Sequence, residues 1–231
     1  MVVNITAEDP QPTIHSHING TTEEILDRLC VTELLKGWPV YRDASEWAHY
    51  RNCFAEEAYI FTTWSGGMPI DEFIEVSKKG RRNGDHIMHR ENGTLVELNS
   101  KAGRAVGKMK ATITQRFSFD GIEFDVECDC RFIMWCQKDP AGWKVHYKRL
   151  FYEKDKIIPV DGKHVPEFSE EELKPYPYGY RYLGASQARL GHKIKLDLPT
   201  MEDNDKFRGM YEAMEKWLRG EDIKETLGIP V

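Results

Sequence analysis

Two residues of this chain have the side chains that proton abstraction near neutral pH requires. Asp43 lies in the segment VYRDASEW, and His89 lies later, in the segment HIMHREN. An imidazole with an ordinary pKa of about 6.5 accepts a proton near neutral pH, while a carboxylate beside it fixes the ring tautomer and stabilises the imidazolium. If the fold brings the two side chains together, the pair predicts a general base, His89, that Asp43 orients.

Each member of the pair also has a purely structural interpretation. Asp43 precedes a predicted helix, where aspartate commonly caps the N-terminus. His86 competes with His89 for the role of base, because residues three apart cannot both face the same side of a regular strand. The assignment therefore depends on the elements that position these side chains.

Three helices are predicted in the first third of the chain. The first begins with a capping box formed by Thr21 and Glu24 and is interrupted at Pro39. A second helix follows the candidate aspartate, with Ser45 as its N-cap. The third begins at Pro69, a residue that suits the first turn of a helix.

A β pattern occupies the chain from residue 86 to residue 152. Strands are predicted at residues 59–64, 86–92, 94–100, 104–119, 122–137 and 142–152. Along residues 122–134 apolar and polar side chains alternate with period two, which is typical of an antiparallel sheet with one buried face. Helices followed by such a sheet predict an α+β fold.

The composition narrows the classes of function. The chain has 231 residues, 40% of them hydrophobic, and a formal net charge of −6. This negative charge disfavours a broad surface for binding nucleic acid. The short basic clusters at 78–82 and 144–148 are interpreted as solvated edges. No apolar run approaches the ~20 residues of a membrane span. No membrane and no nucleic-acid partner is therefore expected.

Cysteine usage points to a reducing compartment. The five cysteines are odd in number and include no CxxC pair. A reduced, cytoplasmic protein without a disulfide framework is the simple interpretation. Cys128 and Cys130 share one face of a strand and are expected to be core residues, so no metal site is predicted.

Several segments, taken in order, resemble a known superfamily. They are RDASEW from Arg42, the strand at 59–64, MPIDEF from Met68, IMH ending at His89, and GWKV from Gly142. Over residues 20–152 the chain resembles the SnoaL-like branch of the nuclear transport factor 2-like superfamily. Within that branch it is most similar to the scytalone dehydratase and γ-hexachlorocyclohexane dehydrochlorinase group.

The resemblance implies a cone-shaped fold, in which a curled antiparallel sheet wraps around N-terminal helices and closes on an apolar cavity. It implies that Asp43 and His89 form the catalytic dyad of a lyase that needs no metal or cofactor and is often a homotrimer. The match together with the strand alternation places the following residues around a small-molecule substrate: Phe61, Trp64, Phe124, Cys128 and Phe132.

The chain also departs from the family pattern. Two tyrosines of scytalone dehydratase correspond by ungapped alignment to Arg42 and Phe61, and a second family histidine falls near Thr114. Scytalone is therefore not the expected substrate, and the group that assists the leaving group is open. The candidates for that role, also counted as substrate-binding residues, are Tyr41, Tyr59, Arg131 and Tyr147.

The chain divides into three predicted parts. They are a flexible arm at 1–20, a catalytic cone at 20–152, and a C-terminal extension at 153–231. The last predicted helix carries apolar residues at helical spacing, so the extension is expected to pack on the cone or on a neighbouring subunit.

The predicted function is a cofactor-independent, dehydratase-type elimination on a cyclic small molecule. An isomerase or a cyclase would use the same base, and a non-catalytic small-molecule-binding or assembly module is the alternative from another class. A binding module has no need for a carboxylate that touches a histidine inside a cavity, so the geometry of the pair discriminates between the two.

Overall fold

The computed structural model describes residues 16–230, and the structural statements that follow refer to that part of the chain. Most of the predicted arm, residues 1–15, lies outside the described residues. No helix within residues 16–230 is long and apolar enough to cross a membrane.

Three helices precede most of the sheet. They are α1 (Thr22–Gly37), α2 (Trp47–Asn52) and α3 (Ile70–Arg82). The capping box predicted at Thr21 and Glu24 is present and begins α1. A π-helical segment, Trp38–Arg42, continues α1 through the proline.

The predicted cap of α2 is wrong. Ser45 has a φ of 61°, and α2 begins after Glu46 without a side-chain cap. The backbone N–H groups that leave the π-helical segment bond back to its carbonyls, Ser45 to Arg42 and Glu46 to Tyr41. This tight exit places Ser45 in the left-handed region, where it does not act as an N-cap.

The strands form a single six-stranded sheet, two of whose strands lie between α2 and α3 in the chain. Its strands are β1 (Phe54–Thr62), β2 (Gly66–Pro69), β3 (His86–Asn99), β4 (Arg104–Phe119), β5 (Ile122–Asp139) and β6 (Gly142–Pro159). The strand order is β2-β1-β6-β5-β4-β3, with β1 and β6 parallel and the other pairs antiparallel. The two strands predicted between 86 and 100 form one, β3, because a bulge between Glu91 and Thr94 keeps it paired with β4. The curled, unclosed sheet with N-terminal helices confirms the predicted α+β class.

The sheet is buried on both faces. The even-numbered residues of β5 from Phe124 to Met134 join the core formed with α1, α2 and α3, as the alternation predicts. Ile133 and Trp135 point to the opposite face and are also buried. One face thus packs on the N-terminal helices, and part of the other requires a second cover.

The C-terminal extension supplies that cover. Its helices are α4 (Glu170–Leu173), a 3₁₀ turn (Tyr178–Tyr180), α5 (Arg181–Arg189), α6 (Asn204–Leu218) and α7 (Lys224–Leu227). On α6, the Trp217 indole N–H donates to the backbone oxygens of Ala105 and Cys136 at 3.1 and 3.0 Å. Helix α5 lies at the other face, where Leu183 joins the core of the N-terminal helices.

Trp217 provides a test of how strongly α6 holds to the sheet. Trp217→Ala removes a fully packed indole and two hydrogen bonds, so we expect the free energy of unfolding to fall by about 3–5 kcal/mol. Glu212→Ala, on the exposed side of the same helix, should change it by less than about 0.5 kcal/mol. Urea unfolding measures both, and equal midpoints for the two variants would contradict this packing.

Candidate active site

The Asp43 carboxylate joins the end of the first helical region to the edge of the sheet. Its Oδ1 accepts a hydrogen bond from the His89 ring Nδ1 at 2.8 Å, and its Oδ2 accepts one from the His89 backbone N–H at 2.5 Å. Because β3 is an edge strand, the carboxylate takes the place that a further strand would occupy. The two residues on which the sequence analysis centres are therefore in direct contact.

A second residue of the helical layer fixes this junction. Arg81, on α3, donates through Nη2 to the backbone oxygen of Asp43 at 2.6 Å and to that of Ile87 at 3.2 Å.

Since Nδ1 of His89 donates to a carboxylate, Nε2 is the ring nitrogen left to accept a proton. His86, the competing histidine, is exposed on the other side of the strand.

Burial, hydrogen bonds and nearby charges together set the protonation states of His89 and Asp43. Burial lowers the pKa of His89 to about 4 even though Asp43 opposes the shift, and the positive charge of Arg42 adds to it. Burial alone would raise the pKa of Asp43, but the hydrogen bond from His89 and the charge of Arg42 bring it below its ordinary value. Near pH 7 the site thus holds a neutral imidazole and an ionised carboxylate.

A cavity of about 30 Å³ adjoins His89. Its aromatic and aliphatic walls include Trp38, Trp64, Phe73, Phe132 and Leu183. Its polar groups are contributed by Arg42, Thr62, Thr63, Gln115, Lys148, Tyr152 and Gln187. A volume of this size holds about two water molecules. A cyclic substrate therefore requires the cavity to open.

The C-terminal extension closes the cavity through one side-chain amide. Gln187, on α5, donates through Nε2 to Gln115 Oε1 at 2.9 Å and accepts at Oε1 from the Thr63 hydroxyl at 2.9 Å. The first partner belongs to β4 and the second follows β1. Displacement of α5 would break these two hydrogen bonds and expose the histidine.

Lys148 is the cavity residue that the sequence analysis misinterpreted. Its side chain is fully buried rather than part of a solvated edge, and its Nζ has no hydrogen-bond partner. The Nζ atom lies 3.4 Å from the ring centroid of Trp38 and 4.1 Å from that of Phe132. Burial and the charge of Arg42 hold the pKa of this amine well below its ordinary value.

A sequence signal for this lysine does exist. Along β6 every second residue from Lys148 shares its face, and the next two on that face, Leu150 and Tyr152, line the same cavity. A lysine in register with such residues on a central strand is a candidate for burial. The basic residues beside Lys148 in the sequence led to the interpretation of residues 144–148 as a solvated edge.

Two of the predicted substrate-binding residues line the cavity, and two others lie on the same face of the sheet but outside it. Trp64 and Phe132 line the cavity. Phe124 and Cys128 face the same side of the sheet but lie farther along β5, where Phe124 stacks on Phe117 and the Cys128 thiol approaches the backbone oxygen of Gly179.

The remaining predicted residues lie outside the cavity. Tyr59, Phe61 and Tyr147 face the layer formed by α6 and α7, because Ile60 and Thr62 are the β1 residues that point inward. Arg131 pairs with Glu153 at 2.5 Å on that outer face. Tyr41 packs on the exposed His49 ring at 5.2 Å between centroids. None of the four candidates for assisting the leaving group therefore borders this cavity.

No cluster of three or more His, Cys, Asp or Glu side chains suited to a metal ion occurs among residues 16–230. The cysteines at positions 30, 53, 128, 130 and 136 are free thiols. The polar groups of the cavity are instead a carboxylate-bound imidazole, two basic side chains and neutral amides and hydroxyls.

Known proteins resemble this chain in sequence and in fold. A model of the SnoaL-like domain family matches residues 23–149. A PEP2-like protein of Fusarium vanettenii is 43% identical over 93% of this chain and 95% of its own length. The pea pathogenicity protein 2 of the same organism is 42% identical over 89% of this chain and 91% of its own length.

A solved structure shares the fold. The crystal structure of hexachlorocyclohexane dehydrochlorinase LinA-type3 from Novosphingobium barchaimii superposes with a TM-score of 0.51 at 13% identity. The match covers 63% of this chain and 98% of that protein. The likeness concerns the fold, and the part of this chain that it leaves uncovered exceeds one third.

The His89 ring should titrate far below an ordinary histidine. We expect its pKa to be about 4, with Nδ1 protonated and Nε2 free, in a ring-nitrogen NMR titration assigned through His89→Ala. Since the folded pKa lies below the unfolded value of about 6.5, the stability from this group is complete above pH 6.5 and is lost as pH falls through 4. A ring that gains its proton near pH 6.5 would contradict this account.

The buried lysine should destabilise the fold. Because the pKa of Lys148 in the folded chain lies well below its unfolded value, the unfolded chain binds this proton more tightly, so Lys148→Met should raise the melting temperature. The gain should shrink as pH rises towards about 10.5, where the unfolded lysine also becomes neutral. Lys154→Met, at an exposed position of the same strand, should leave the melting temperature nearly unchanged. A gain for Lys148→Met that does not vary with pH would contradict a neutral amine.

Proposed function

The chain belongs to the SnoaL-like domain family, and on that premise we propose that it is a cofactor-independent lyase that eliminates water or another leaving group from a cyclic small molecule. The single observation that carries the proposal is the hydrogen-bonded pair of Asp43 and His89 at a buried cavity. A carboxylate that holds a neutral imidazole inside an apolar site is suited to proton abstraction from carbon.

The proposed reaction begins at the free ring nitrogen of His89. Nε2 removes a proton from a carbon next to an electron-withdrawing group, and the positive charge that develops on the ring is stabilised by Asp43. The elimination then expels the leaving group from the neighbouring carbon. The departing group accepts a hydrogen bond from a neutral donor and takes up the proton that His89 removed, which restores the neutral imidazole. The walls of the cavity exclude water and strengthen both steps.

Tyr152 is the proposed donor to the leaving group. It lines the cavity, and burial raises the pKa of its phenol well above the ordinary value, so the hydroxyl stays protonated. Arg42 borders the same space, and although burial lowers its pKa, a guanidinium keeps its charge. The substrate thus meets one base, one neutral donor and one fixed cation.

Three other expectations from the resemblance are kept as proposals. An isomerase or cyclase would use the same dyad, and product analysis by NMR distinguishes it from a lyase. A homotrimer is expected in solution, which light scattering decides. A cytoplasmic location is expected from the free thiols and is checked by cell fractionation.

Substitution of the dyad tests the proposal. His89→Ala should lower kcat/KM on any substrate found in a screen of cyclic carbonyl and halogenated compounds by at least about 100-fold, because it removes the base. Asp43→Asn should retain part of the activity, since the ring stays but loses its orientation and the negative charge that stabilises it. EDTA should not change the rate.

The matched control is His86→Ala, three residues away on the exposed side of the same strand. It should keep wild-type kinetics and wild-type stability. Full activity in His89→Ala, or activity that EDTA removes and zinc restores, would contradict the proposal and favour a binding module or a metalloenzyme.

A further inference from the structure

Lys148 is a buried amine for which the base chemistry of the dyad has no use. Its side chain is 0% exposed, and neither a hydrogen bond nor an ion pair to its Nζ is present among residues 16–230. A buried lysine without a counter-ion destabilises a protein, because the charged form loses its hydration. A side chain retained under such conditions is a candidate for a chemical role.

The surroundings of Lys148 favour the free amine. The charge of Arg42 repels the ammonium, and the Cys130 thiol opposes that effect by a smaller amount. The carboxylate bonded to His89, Asp43, already pairs with that ring and with Arg42. A neutral lysine amine is a nucleophile that adds to carbonyl carbon, whereas the ammonium does not.

Lys148 and His89 flank the same two aromatic rings. The Lys148 nitrogen lies 3.4 Å from the Trp38 centroid and 4.1 Å from the Phe132 centroid. The His89 ring lies 6.0 and 5.7 Å from the same centroids, edge-on to both. Both residues line the same small cavity, so a substrate joined to the lysine nitrogen occupies space that His89 also borders.

We propose that Lys148 forms an imine with the carbonyl group of the substrate, so that the site takes small ketones or aldehydes that carry a leaving group on the β-carbon. The inference rests on the proposed function only for His89 as the group that receives the α-proton. In this inference, the electron-withdrawing group next to the carbon that loses its proton is a protonated imine.

The reaction balances with water as the only co-reactant. The amine adds to the carbonyl carbon, a proton is taken up from solvent, and the carbonyl oxygen leaves as water. His89 then removes the α-proton, and the resulting enamine expels a β-hydroxyl group, which takes the proton from His89 and leaves as a second water. Hydrolysis of the imine consumes one water, returns the proton to solvent and regenerates the amine.

The weak basicity of His89 explains why the proposed reaction passes through an imine. An imidazole whose pKa is about 4 is a poor base for the α-hydrogen of an unmodified ketone. A protonated imine is a much stronger electron sink than a carbonyl and makes that hydrogen more acidic. The same burial that weakens the base keeps the amine nucleophilic, so the two effects act together.

Reductive trapping tests the imine directly. The full-length protein is incubated at pH 7 with acetaldehyde or cyclohexanone and sodium cyanoborohydride, and peptide mass mapping follows the rate at each lysine. We expect Lys148 to gain the ethyl or cyclohexyl group at least about tenfold faster than Lys154, which is exposed on the same strand. Lys148→Arg should carry no label at this position.

Two variants separate this inference from the proposed function. His89→Gln should still be trapped at Lys148 but should lose the exchange of cyclohexanone α-hydrogens for deuterium in D₂O, which the wild-type protein should catalyse. Gln187→Ala, which removes the hydrogen bonds of α5 to Gln115 and Thr63, should speed the labelling of Lys148 if access limits it.

If Lys148 stays unlabelled in Gln187→Ala while Lys154 reacts completely, the imine is excluded even when the dyad is needed for turnover. If Lys148→Arg keeps the wild-type turnover, the imine is likewise excluded. Trapping at Lys148 together with full activity in His89→Ala would leave the imine standing and refute the base.

Discussion

The hydrogen bonds between the Asp43 carboxylate and His89 are the interaction on which the site depends. One oxygen holds the ring and the other holds the backbone of the same residue, so the carboxylate fixes the position of the edge strand and the tautomer of the base together. Arg81 binds the backbone on both sides of this contact. The segment that ends α1 thus becomes part of the sheet edge, and the geometry of the candidate site is a consequence of how helix and strand are joined.

The charges of the cavity form a balanced set. Asp43 is ionised and Arg42 is its cation, while burial lowers the pKa values of His89 and Lys148 and favours their neutral forms. Two neutral nitrogen bases in a dry space beside one ion pair are less stable than an apolar core of the same shape. Proteins retain such arrangements mainly where function uses them, so the buried lysine is part of the chemistry in our interpretation.

The C-terminal extension affects the two faces of the sheet differently. Helix α6 covers the outer face and encloses Tyr59, Phe61 and Tyr147 in packing contacts away from the cavity. Helix α5 reaches the inner side and supplies Leu183 and Gln187 to the cavity wall. The closed cavity holds only water-sized contents, so movement of α5 is a requirement of any reaction on a cyclic molecule. Such movement must break the two hydrogen bonds of Gln187, at about 1 kcal/mol each, and must also displace the buried Leu183.

The sequence by itself determined the elements and the dyad. The capping box at Thr21, the period-two pattern of β5 and the order of short segments around Asp43 and His89 are local signals, and each corresponds to what the structure contains. Local spacing is sufficient here because a turn of helix or a run of strand is fixed by neighbours in the chain.

Only the tertiary structure decided which of these residues line the cavity. Alternation shows which residues of a strand share a face, but both faces of this sheet are covered, so it does not show which face holds the cavity. Phe61 was therefore expected inside and lies outside, while Lys148 was expected at an edge and lies at the centre. The roles of Gln187 and Tyr152 depend on contacts between distant parts of the chain, which strand curl and helix docking create and local pattern does not record.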